Sequence, residues 1–119
     1  MILYEKIINV STTNGDIVCQ NKAQIIEIIK QGTILPQGDE IWISSNGKPY
    51  PCLCIFIKGK YACVHYFKND KGDVWQSHGD VNEEVIFFEG EGDRAWTAPK
   101  YVIVPLEKAI RCVEEFLNT

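Results

Sequence analysis

The chain has 119 residues, 45% of them hydrophobic and 24% charged, with a formal net charge of −4. That length fits one domain, 1–119, able to bury a core without metal or disulfide staples, and that balance excludes a disordered tail. The negative charge argues against nucleic acid as a direct partner, because such affinity rests on cationic contacts to phosphate.

Residues 1–10 alternate enough to predict a strand. Glu5 and Lys6 interrupt their apolar run, unlike a secretory signal. No run in the chain approaches the roughly 18 apolar residues of a membrane span, so no membrane partner is expected and the expected location is cytoplasmic. Ser11 to Asp16 is a turn cluster. Residues 21–30 predict a helix, with Asn21 as its cap, Ala23, Ile25, Ile26, Ile28 and Ile29 as its apolar face, and Gly32 as its stop. A linker with Pro36 and Gly38 leads to a strand over 40–45, in which Ile41 and Ile43 point opposite to Trp42.

Asn46-Gly47 signals a turn, prolonged by Pro49 and Pro51. The nearly all-apolar residues 52–58 predict a central strand. Gly59 reverses the chain into a strand over 60–68, and Asn69-Asp70-Lys71-Gly72 reverses it again into one around Trp75. A strand over 101–104 ends at Pro105, which opens a helix. In that helix Leu106, Ala109, Ile110, Val113, Phe116 and Leu117 recur at steps of three and four, so Val113 and Phe116 are expected in the core. The expected fold is α+β: one antiparallel sheet of about five to seven strands packed with an N-terminal and a C-terminal helix.

The 52–67 hairpin permits a geometric test. A two-residue loop at Gly59, either Lys58-Gly59 or Gly59-Lys60, puts Cys52, Cys54 and Phe56 on one face with Cys63, His65 and Phe67. A three-residue loop reverses that parity. Cys52, Cys54, Cys63 and His65 form a four-donor set of a kind zinc accepts. Cys-x-Cys on a flat strand, however, holds its donors about 6–7 Å apart, whereas structural zinc sites use knuckles that wrap the ion. The five cysteines, an odd number, are therefore expected to be reduced core thiols, with no metal and no cofactor, the small residues of this face lying against a helix. A Cys63–His65 nucleophile and base would need a lowered thiol pKa and an oxyanion hole, and no motif announces either, so no catalytic residue is assigned. His78 reads as an exposed turn residue.

Between His78 and Asp93 stand six acids, Asp80, Glu83, Glu84, Glu89, Glu91 and Asp93, with no Lys or Arg. Of sixteen acids in all, ten remain elsewhere against twelve Lys and Arg, so the net negative charge resides in this stretch. It encloses Val85-Ile86-Phe87-Phe88, either a core strand or an exposed patch; its acids either guard a sheet edge or meet a partner. Trp42 and Trp75 are expected in the core. Trp96, in a loop beside Arg94, has the composition of an interface hot spot.

The order of these elements resembles the first-numbered immunity-protein family of bacterial polymorphic toxin and contact-dependent inhibition systems. The residues that carry the resemblance are the Tyr61–Phe67 hairpin, the polar turn, the strand around Trp75, the acidic stretch and the closing helix ending Glu-Phe-Leu-Asn-Thr. It spans about residues 50–119; family members commonly continue with a Gly/Arg-Pro segment and a terminal Trp strand, whereas this sequence ends at Asn118-Thr119. The resemblance implies a small non-enzymatic protein that binds and neutralises the C-terminal domain of a cognate toxin. Such toxins are often deaminases or nucleases, with basic active sites that an acidic surface would cover; binding at an exosite, without active-site contact, is the equal alternative. The expected partner-binding residues are Asp80, Glu83, Glu84, Glu89, Glu91, Asp93, Arg94 and Trp96. The rival readings are a small ligand-binding or regulatory domain, which a deep apolar pocket under Trp75 would favour, and a thiol- or metal-dependent enzyme built on Cys52, Cys54, Cys63 and His65.

Overall fold

The computed structural model describes residues 7–79, 81, 83–89 and 94–118. In chain order the first half contains β1 (Ile8–Thr12), β2 (Gly15–Cys19), α1 (Lys22–Ile34), β3 (Asp39–Ser45) and β4 (Cys52–Lys58). The second half contains β5 (Tyr61–Phe67), β6 (Val74–Gln76), β7 (Val85–Glu89), β8 (Arg94–Ala98), β9 (Val104–Pro105) and α2 (Leu106–Leu117). Among the described residues, seven strands form one antiparallel sheet in the order β2-β1-β3-β4-β5-β6, with β9 also on β5, and β7 and β8 form a separate hairpin. The fold is α+β, with the two helices near the ends of the chain.

The sheet is covered on both sides, which explains why β4 is apolar at successive positions and buried along all but its last residue. On one side Ile8, Val10, Ile41, Ile43, Leu53, Ile55, Ile57, Ala62 and Val64 pack with Ile25 and Ile29 of α1 and with Ala109, Val113 and Phe116 of α2. Val113 and Phe116 are buried as the helical stripe predicts. On the other side Cys54, Phe56 and Cys63 pack under Val85 and Phe87 of β7, Ala98 of β8, and Val102 and Ile103. The small residues of the hairpin therefore lie under a second hairpin, not under a helix as the sequence suggested.

Several local expectations shift by a turn or a strand. Asn21 caps α1, its side-chain oxygen accepting from Gln24 N at 3.0 Å. Gly32 does not stop this helix; it lies inside it, buried, where a Cβ would press to 3.0 Å of Asp39 Cβ. The turn cluster is shorter than its composition suggests, because Thr12 already pairs with Gly15 and the chain returns as edge strand β2. Asn46 and Gly47 both take positive φ, at 56° and 72°, with Lys48 N donating to Ser45 O at 3.0 Å. The strand expected over 101–104 is mostly a 3-10 turn, Lys100–Val102, in which Val102 N donates to Pro99 O at 3.1 Å. Pairing is left to Val104–Pro105, and Leu106, not Pro105, begins α2.

Candidate functional site

Gly59-Lys60 forms the loop of the β4–β5 hairpin, with Lys58 paired to Tyr61 and Gly59 at a φ of 57°. The resulting register sets Cys54 opposite His65 and Phe56 opposite Cys63, the shared face that a two-residue loop requires. On β3, alternation sends Ile41 and Ile43 to the helices and leaves Glu40 and Trp42 on the same face as Cys54. On β6, Gln76 stands opposite His65. Ser77 fixes that position: its Oγ accepts from Val64 N at 3.0 Å and donates to Val102 O at 2.6 Å.

The β7–β8 hairpin covers only part of this face, and a cleft of about 430 Å³ lies beside it. Trp42, Phe56, Phe67 and Trp96 give it aromatic walls, and Glu40 and Glu89 line it with carboxylates. Trp42 stacks on Phe67 with ring centroids 5.4 Å apart, and its Nε1 donates to Glu40 Oε1 at 2.8 Å. Trp96 meets Phe56 edge-on at 5.2 Å and stacks over His65 at 6.4 Å. Among the described residues that line the cleft, none is Lys or Arg.

Burial favours the neutral forms of the imidazole and of the thiols inside. Burial lowers the pKa of His65, and its Nε2 lies 2.7 Å from the Gln76 amide nitrogen. An amide NH₂ only donates, so with the amide in this orientation Nε2 accepts and the proton sits on Nδ1. Burial pushes the Cys54 thiol well up; Glu40, Cys52, Cys63 and Glu89 add to it, so both carboxylates act on the floor of the cleft. Cys63 is also raised by burial, against smaller opposing hydrogen bonds from Ser77 and Gln76, and its Sγ lies 4.0 Å from His65 Nε2. A thiol held protonated is a poor nucleophile. Among the described residues, no group of three or more His, Cys, Asp and Glu is placed to hold a metal ion.

The residues expected to meet a partner are distributed unevenly. Glu83 and Glu84 are exposed just ahead of β7. Glu89 pairs with Arg94 across the last rung of the β7–β8 hairpin, at 3.4 Å. Asp80, Glu91 and Asp93 lie outside the described residues. Trp96 is corrected: it is in strand β8, not a loop, and turns partly inward against Phe56 and Phe87. The other tryptophans are corrected in the opposite sense. Trp42 is 37% exposed and Trp75 55% exposed, because neither the hairpin nor a helix covers them fully. His78 is exposed, as its turn context suggests.

Glu40, Trp42, Phe67 and Gln76 were not singled out by the sequence as site residues. The signal for two of them was the alternation along β3, which already opposed Trp42 to the core isoleucines. A second pocket, about 310 Å³, lies between β6 and α2 and is lined by Leu53, Val64, Tyr66, Trp75, Cys112 and Phe116, among others. Among the described residues, no helix is long and apolar enough to cross a membrane. Compared with known proteins, the chain matches no family model, and no curated protein sequence matches it at a significant level. The resemblance to immunity proteins thus stands on its residue pattern alone.

Proposed function

We propose that this chain is a cytoplasmic immunity-type protein that binds a cognate toxin domain in a non-covalent complex and keeps it from its substrate. The observation that supports this best is the aromatic cleft lined by Glu40 and Glu89, with Glu83 and Glu84 exposed on the chain leading into its covering hairpin. Aromatic residues beside carboxylates suit a basic protein surface: the acids steer association and the rings anchor the complex. A nucleic-acid-acting toxin, deaminase or nuclease, has such a surface where it receives phosphate. The protonated state of Cys54 and Cys63 supports a binding role over a thiol nucleophile.

The test is co-expression with the C-terminal domain of any toxin whose reading frame adjoins the one for this chain. The reading expects protected growth and a stoichiometric complex on gel filtration. Protection without a complex, or neither, would refute it.

One observation favours a second reading, a small-ligand domain: the pocket roofed by Trp75, whose volume of about 310 Å³ is at the lower end for small-molecule sites. A saturable change in Trp75 emission with an apolar aromatic probe such as indole, abolished by Cys112→Trp, would support it.

A further inference from the structure

We propose that the cleft between β3, β5 and the β7–β8 hairpin is a receptor for one organic cation, the guanidinium of an arginine side chain presented by the protein partner. This rests on the reading that the partner is basic and docks on this face. The walls suit a planar cation. Trp42, stacked at 5.4 Å on Phe67, and Trp96, at 5.2 Å from Phe56, bring several aromatic rings to one cleft. Aromatic faces attract cations through the ring quadrupole, Trp most strongly.

The charges agree with the walls. Glu40 and Glu89 line the cleft, and both push up the Cys54 thiol at its floor, behind burial as the largest cause. His65 is neutral and cancels neither carboxylate. Arg94 lies outside the lining and is paired with Glu89 at 3.4 Å. Arginine fits better than lysine because its flat guanidinium both stacks on rings and offers a fork of donors to carboxylates. A side chain fits better than the free amino acid. The described lining offers no Lys or Arg to pair with a free α-carboxylate, which Glu40 and Glu89 would repel.

The indole N–H signals of Trp42 and Trp96 report on the site in ¹⁵N-labelled protein. The probes are N-acetyl-arginine N-methylamide, the matching citrulline derivative, which is its neutral near-isostere, and free arginine. The blocked arginine should shift both indoles saturably, the citrulline derivative should bind roughly tenfold more weakly or worse, and free arginine should bind more weakly than the blocked form. Glu40→Gln, which keeps an acceptor for Trp42 Nε1, and Glu89→Gln should each weaken the response. Equal shifts from arginine and citrulline, or unmoved indoles, would overturn the cation site without any variant being needed. Tighter binding of free arginine would overturn the protein-borne occupant. A chain that takes blocked arginine but no toxin domain sinks the toxin reading; a toxin complex with both indoles unmoved sinks only the cleft.

Discussion

Truncating Trp96 separates two descriptions of the hairpin that the sequence alone did not distinguish. An indole in an exposed loop can be removed at little cost to stability. Here the ring packs on Phe56 at 5.2 Å and Phe87 at 5.5 Å, so its removal opens the seam between the hairpin and the sheet. Truncating a well-buried Phe or Trp costs about 3–5 kcal/mol, and the part of Trp96 that faces the cleft places it at the lower end. Its Nε1 is buried without a hydrogen-bond partner among the described residues. That unsatisfied donor, at the edge of an open cleft, costs the native state about 1 kcal/mol, the low end for such groups, which the alanine variant no longer carries. The net expectation for Trp96→Ala is a loss of about 2 kcal/mol, equivalent to roughly 6–10 °C in Tm for a domain of this size. Trp96→Phe keeps a ring and discards the donor, so it should lie within about 1 kcal/mol of the native protein. Urea unfolding followed by far-UV circular dichroism, with the slope unchanged, measures both. An alanine variant that unfolds with the native protein would place Trp96 on the surface and dissolve the cleft; a phenylalanine variant as weak as alanine would mean that the indole N–H has a partner.

Phe116→Ala should cost roughly 3–5 kcal/mol in the same assay, since Phe116 closes the helix-side core; an unchanged midpoint would detach α2 from the sheet. Gly38→Ala should cost more than about 2 kcal/mol, because Gly38 has a φ of 71° and a Cβ would overlap the Ile57 carbonyl oxygen; native stability would refute that approach of β4. Partial burial lowers the pKa of His65, so the unfolded chain takes up a proton first as pH falls below the ordinary value of 6.5. Its contribution is full above that pH and is lost as pH falls through the lowered folded value. His65→Gln should therefore flatten the decline in stability between roughly pH 7 and 5, and an unaltered slope would contradict the burial. Cys112 alone among the five thiols is not buried, so a thiol reagent at neutral pH should modify Cys112 first and the others on unfolding. Rapid labelling of Cys54 or Cys63 in the native protein would contradict their place under the hairpin.

The central hairpin was legible in the sequence because a single loop length fixes the parity of every residue in both strands. Gly59 offered that loop, and the Cys54–His65 and Phe56–Cys63 pairs follow from it. The closing helix was equally legible, its stripe of Ala109, Val113 and Phe116 having one face to bury. The tryptophans were not. Burial of an aromatic depends on what the rest of the chain lays over its face, and periodicity within one strand does not carry that information. Trp42 alternates correctly away from the core isoleucines, yet whether the far face is solvent, cleft or core is decided by where Val85–Glu89 and Arg94–Ala98 come to rest. Gly32 misled for a related reason: inside a helix, the lack of a Cβ served close packing against Asp39 instead of a stop. Edge strand β2 escaped notice because four of its five residues are exposed, leaving no alternating pattern to read.

On the proposed function, this chain meets a basic partner through the acidic and aromatic face beside the β7–β8 hairpin. The most direct measurement is the association rate with a toxin domain against which this chain protects, native protein against Glu83→Lys/Glu84→Lys, as salt is lowered. Both glutamates are exposed, so the variant should melt with the native protein. Association should be slowed by roughly tenfold or more at low ionic strength, with the difference closing as the Debye length shrinks to about 3 Å near 1 M salt. Equal rates at every salt concentration would contradict it and would move the interface to the opposite side of the sheet.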